Sequence, residues 1–186
     1  MILDIDFLDD ATRPKAPKIE DLKPEHKAAG RHLRMIHDHL RQNVAALRQM
    51  VDAVAAGEMG VEDVERQAGA LEMVANYRKF GNLCGQHCQI VHTHHSIEDA
   101  HLFPVLSAKG EAWKKVTDRL AKEHVVVHEL LMRLVGALNA LAQDPSAEHF
   151  ADARALNDAL ERVLLSHLGY EEEEIGDALG YFEVMV

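Results

Sequence analysis

The chain has 186 residues, 47% of them apolar and only 5% aromatic, and carries a formal net charge of −11. That length and apolar content suit one domain with a sizeable core, and five prolines with few aromatics favour helices over sheets. The negative balance argues against nucleic acid or an anionic membrane as the main partner, and the thirteen histidines are several times what a chain of this size needs.

Residues 1–23 read as an extended arm, Asp-rich at first and then Arg13-Pro14-Lys15-Ala16-Pro17-Lys18. The opening Met-Ile-Leu-Asp-Ile-Asp is acidic and lacks the basic segment that begins a secretory signal. No uninterrupted apolar run is long enough for a membrane span, and two cysteines with no reason to pair make a reduced, cytoplasmic state the expected default.

A first helix is predicted from Pro24, whose missing N–H is harmless in a first turn, to about Ala56. Along it His37, Leu40, Val44, Leu47, Val51 and Val54 step by three or four and form one face. Gly57-Glu58-Met59-Gly60 ends the pattern. A second helical region covers Val61 to about Leu106. It is longer than its fellows, so it overhangs or breaks, with Gly81 and Gly85 as the expected place. Cys84 and Cys88, four apart on this helix, read as reduced, inert core residues rather than a disulfide or a zinc pair.

The third helix is predicted from Glu111 to Ala142, with Leu120, His124, Val127, Leu131, Leu134 and Leu138 inward. Asp144-Pro145-Ser146 makes a turn. The fourth helix covers Ala147 to about Ile175 and turns Phe150, Leu156, Leu160, Leu164 and His167 inward. Short connections between amphipathic helices predict an all-α, antiparallel up-down-up-down four-helix bundle over residues 24–180, followed by a tail at 181–186. In that topology the start of helix one, the end of two, the start of three and the end of four meet at one end. His37, His94, His124 and His167 occupy those four places.

Three pairs at helical spacing carry the chemistry: His94 with Glu98, His124 with His128, and His167 with Glu171. Residues four apart share a helix face, so each pair aims two donors in one direction. With His37 they make five imidazoles and two carboxylates. That is too many for one tetrahedral zinc, and it suits two transition-metal ions about 3.5–4 Å apart. Both carboxylates and a solvent-derived oxo or hydroxo group would bridge, and an uneven ligand count leaves one open position. Leu40, Val44, Val127, Leu131 and Leu164, a turn away, predict a small dry pocket suited to diatomic molecules or peroxide.

A single histidine on an apolar face is usually a satisfied core residue. Seven donors at one level reverse that reading, because buried polar groups without partners cost about 1–3 kcal/mol each. His37 is preferred to His39 and His32 because it continues the apolar stripe. His95 points about 100° away from His94 and reads as a rim or outer group. His87 and His101 are candidate outer partners that orient ligands, whereas His26, His92 and His149 read as solvated. The run Glu171 to Glu174 reads as an exposed helix end with one member recruited inward, and Tyr170 as a pocket or packing residue. Glu98 and His101 form one Glu-x2-His of ferritin type, but no second copy aligns with it.

The stripe His37/Leu40/Val44/Leu47, the run His94-His95-Ser96-Ile97-Glu98-Asp99-Ala100-His101-Leu102-Phe103-Pro104, the pair Glu123-His124 and the run His167-Leu168-Gly169-Tyr170-Glu171-Glu172 resemble the hemerythrin-like, HHE cation-binding family over roughly residues 28–175. The resemblance implies a four-helix bundle with a non-haem centre of two iron ions, handling oxygen, nitric oxide or peroxide, or sensing iron. It matches His94, Glu98, His124, His167 and Glu171 to the family's ligands, and His128 to the fifth histidine of its five-histidine members. Oxygen-carrying hemerythrins place an Asp five residues after the last histidine. Here Glu171 stands at plus four, with Glu172 at plus five as the alternative. That departure favours an enzyme acting on nitric oxide or hydrogen peroxide over a module that stores or senses oxygen or iron, in which the arm or the segment Gly180 to Val186 would transmit the state.

Overall fold

The computed structural model describes residues 3–55, 84–144 and 146–184. Among them every regular element is helical. Short 3-10 turns at Asp10–Thr12 and Pro24–His26 precede α1 (Lys27–Ala55). Then come α2 (Cys84–Ile97), a π-helical turn (Glu98–Leu102), α3 (Phe103–Ser107), α4 (Glu111–Gln143) and α5 (Ala147–Tyr181). The expected Gly57–Gly60 turn, the first part of the second helix and Gly81 lie outside the described residues, as do the side chains of Leu47, Val51, Val54, Cys84, His87 and Cys88. Gly85 itself is helical.

Local chemistry explains where these helices begin and end. Pro24 opens its turn, and the Lys23 N–H donates to the partly exposed His26 at Nδ1, 3.2 Å away, which closes the helix start. The Ser146 hydroxyl accepts from the His149 N–H at 3.2 Å and caps α5. That helix continues past Ile175 to Tyr181. It closes with Glu183 at a φ of 55° and a bond from Val184 N–H to the Leu179 carbonyl at 2.7 Å, which seats Val184 in the core.

The π turn has a cause in Leu102-Phe103-Pro104. A proline inside a helix cannot donate to the carbonyl four residues back, and its ring crowds that carbonyl. The turn just before Pro104 is widened, with the Phe103 N–H bonded to the Glu98 carbonyl. Such single-turn insertions are frequent at functional sites.

The chain divides into two compact units. One comprises Met1–Ile5, Leu40–His92 and Val127–Val163. Leu40, Val44, Val127, Leu131, Leu156 and Leu160 are buried in it, and Arg48 pairs with Glu161 at 2.5 Å and with Asp158 at 3.5 Å. The other comprises Asp6–His39, Thr93–Val126 and Leu164–Val186, around a core of Leu33, Leu102, Phe103, Leu106, Trp113, Leu120, Ile175 and Leu179. By length and composition α4 is apolar enough to cross a membrane, although Lys122, Glu123, Glu129 and Arg133 interrupt its apolar run. Its Leu120, Val127, Leu130, Leu131 and Leu134 are buried in protein, as the apolar face of a core helix is.

In the second unit α1 and α5 approach through glycines. A Cβ at Gly30 would stand 2.5 Å from the Gly176 carbonyl oxygen, whereas a Cβ at Gly176 would meet only the Gly30 Cα at 3.7 Å. Gly30→Ala should therefore destabilise the fold by about 1–3 kcal/mol. Gly176→Ala should leave it unchanged or stabilise it by up to about 1 kcal/mol. Thermal unfolding of both variants checks this asymmetry, and equal losses would refute it.

Candidate metal centre

Six of the seven residues singled out in the sequence converge within the second unit. His37 and His94 bring their Nε2 atoms to 3.1 Å of one another, and His124 and His167 do the same at 3.2 Å. Two carboxylates span these pairs. Glu98 lies 3.1 Å from His94 Nε2 through one oxygen and 3.6 Å from His124 Nε2 through the other. One Glu171 oxygen lies 3.6 Å from His37 Nε2 and 3.5 Å from His167 Nε2. All six are deeply buried; the most exposed, His94, has a side chain 10% accessible.

The far nitrogens of three rings are held by a second ring of acids. His37 Nδ1 meets Glu172 at 2.9 Å, His124 Nδ1 meets Asp99 at 3.0 Å, and His167 Nδ1 meets Glu123 at 3.1 Å. An Nδ1–H that donates to a carboxylate leaves Nε2 of a neutral ring as a bare lone pair. Two such neutral rings would point lone pairs at each other across the 3.2 Å between His124 and His167, which a shared proton or a cation relieves. Among the described residues, no donor reaches the four buried oxygens of Glu98 and Glu171 except a proton that the two carboxyls share with each other.

Buried acceptors without donors are costly, and this set fits cations. Two groups of donors are close enough to hold an ion: His37, His94, Glu98 and Glu171 in one, and His95, His124 and His167 in the other. The electrostatics agree. Burial first, and then repulsion from any proton on the neighbouring imidazoles of His37, His124 and His167, lowers the His94 pKa to about 3, so its ring is neutral at pH 7. Burial, followed by the nearby charge of Glu171, holds Glu98 well above the ordinary carboxylate range. Burial raises Glu171 to about 7, although His167 pulls it down. Glu123 behaves in the opposite way: burial would raise it, but hydrogen bonds from His167, Arg13 and Arg119 outweigh that and keep it at about 2.

The fifth imidazole is where the arrangement departs from expectation. His128 belongs to neither donor group and is half-buried with its ring 4.8 Å from that of His92. His95, read as a rim group, is fully buried and stacks on His124 with centroids 3.8 Å apart and planes 5° apart. Neighbours about 100° apart on a helix can both face inward when each meets a different partner, and His94 and His95 do so.

The acidic run also differs from expectation. Glu171 points inward, Glu172 supports His37, and Glu174 is buried where it accepts from the Ala16 N–H at 2.5 Å; Glu173 alone of the four is exposed. His101 is exposed, and the outer partners are Asp99, Glu123 and Glu172 instead. A signal for Glu123 was present in Arg119-x3-Glu123, an ion pair at helical spacing that ends beside His124.

Two outcomes follow. His95→Ala should weaken one of two binding steps for a divalent cation about tenfold or more while His128→Ala leaves both, as calorimetric titration would report. Glu171→Gln should abolish one of those steps yet stabilise the metal-free chain at pH 8 by about 1–3 kcal/mol. The sign follows from the raised pKa. The folded chain keeps a proton on Glu171 that the unfolded chain releases above its ordinary range, so this contribution is full at pH 4 and is lost as pH rises through about 7. The advantage of the Gln variant should therefore vanish in thermal melts near pH 4.

No curated protein and no solved structure matches the chain. The family model of the hemerythrin HHE cation binding domain matches residues 28–179, a span that includes both donor groups. With buried imidazoles paired across two carboxylates inside that span, the chain belongs to the hemerythrin HHE cation-binding family.

Proposed function

We propose that His37, His94, Glu98, His124, His167 and Glu171 hold two iron ions joined by a solvent-derived oxo or hydroxo group, with His95 as a further imidazole. The centre would react with small oxidants: nitric oxide, hydrogen peroxide or dioxygen. One observation carries the reading, namely that Glu98 and Glu171 each reach from one histidine pair to the other with no donor from the surrounding described residues on their oxygens. Mixed imidazole and carboxylate donors without thiolate suit iron among the abundant metals. Bound iron would supply one-electron redox chemistry at the site.

The protein's own residues do the rest. Asp99, Glu123 and Glu172 fix three rings through Nδ1, so that each Nε2 faces the interior with its lone pair. Glu98 and Glu171 bring two negative charges to offset the cations. Leu102, Leu164 and Leu168 are buried in the same unit, and the Phe103 ring stacks on His124 at 5.3 Å, which keeps the surroundings apolar and favours a small ligand. Three imidazoles in one donor group and two in the other support an open position on the His37 side.

Reversed numbering across the contacts of α1 and α5 supports an antiparallel up-down-up-down order. Gly30 meets Gly176 and Arg34 meets Glu172 in one unit, while Arg48 meets Glu161 and Asp52 meets Arg154 in the other. The net charge of −11 supports a protein with neither nucleic acid nor an anionic membrane as its main partner.

Anaerobic loading of the metal-free protein with Fe2+ should give two ions per chain, and His124→Ala should lose that stoichiometry. The loaded protein should then disproportionate hydrogen peroxide, or reduce nitric oxide when an electron donor is added, repeatedly while retaining its iron. A stable, reversible oxygen adduct without turnover would instead identify a carrier or sensor.

A further inference from the structure

The outer carboxylate behind His167 is held differently from the other two. Asp99, behind His124, has a side chain 42% exposed, and Glu172, behind His37, pairs with an Arg34 that is 61% exposed. Glu123 is buried and receives two guanidinium groups. Arg13 Nε donates to one oxygen at 2.8 Å and Nη2 to the other at 3.0 Å, while Arg119 Nε donates to the first at 2.6 Å. A forked, charge-assisted pair of this kind fixes the plane of a carboxylate as well as its position.

Arg13 belongs to the N-terminal arm, and the arm is tied down around it. Arg119 also donates to the Thr12 hydroxyl at 2.7 Å and to the Asp9 carbonyl at 2.9 Å. Arg13 Nη1 donates to Ser166 Oγ at 2.9 Å, its guanidinium lies 4.7 Å above the Tyr170 ring, and the Tyr170 hydroxyl donates to the Pro14 carbonyl at 2.7 Å. The arm therefore closes on the one carboxylate that orients His167.

We propose that Arg13 is a positioning residue of the metal centre: the docked arm holds Glu123 against His167 Nδ1 and thereby sets how tightly His167 binds the ion on its side. This rests on the two-ion reading above. With both oxygens clamped, Glu123 keeps the imidazole in one orientation with Nε2 facing the ion. Without Arg13, one face of the carboxylate opens to water and the ring loses that constraint. Linkage makes the effect reciprocal, so an ion on His167 strengthens the docking of the arm by the same factor.

The test is an anaerobic titration of the full metal-free chain with Co2+, followed by calorimetry and by the visible absorption of the bound ion. The parent should bind two ions. Arg13→Gln should weaken one step about tenfold and shift the absorption of that ion, leaving the other step unchanged. Arg13→Lys, which restores the charge without the fork, should fall between parent and Gln variant. Lys15→Gln removes arm contacts to Glu173 and Glu174 but none to Glu123, and should match the parent in both steps. Two ions in the parent with an unaltered Arg13→Gln titration would overturn the proposal alone, as would equal weakening of both steps. A parent that binds fewer than two Co2+ ions would overturn the two-ion reading and the proposal with it.

Discussion

The structure depends on one electrostatic constraint: Glu98 and Glu171 are buried together among imidazoles whose lone pairs face inward. Apart from a proton shared between them, neither carboxylate has a hydrogen-bond donor among the described residues, and each is pushed toward its neutral form by burial. An arrangement of this kind is unfavourable for the bare protein and favourable once cations enter. Metal binding and the stability of the second unit are therefore aspects of one free energy.

The remainder of that unit keeps the donors in place. Gly30, where a Cβ would strike the Gly176 carbonyl, lets α1 and α5 approach closely, which brings His37 within reach of Glu171 and Glu172. The π turn ahead of Pro104 begins at Glu98, and Asp99 within the same turn supports His124. Acids one shell out commit Nδ1 of His37, His124 and His167, and so decide which nitrogen faces the interior.

That outer shell is graded. Glu123, clamped by Arg13 and Arg119, is far more anionic in character than its burial alone would allow, whereas Asp99 faces solvent. The imidazoles behind which these acids stand are thus held with different firmness.

Periodicity along the chain determined the helices and much of the inward-facing set, because both follow from local geometry. A helix brings His94 over Glu98 and His167 over Glu171 whatever surrounds it. The boundaries at Pro24, Glu111 and Ser146 were legible for the same reason: proline, turn and cap chemistry act within a few residues. Tertiary structure decided the rest. His94 and His95 could not be ranked until a partner for each was in place, and His124 supplied one for His95 by stacking. The acidic run at Glu171 to Glu174 divides its roles because α1 and the arm lie against it. Arg13 sits in a stretch with no periodicity to read, and its place against Glu123 is a contact between residues 110 apart in the chain. Spacing within one helix cannot encode such a contact, since it exists only when separate segments pack.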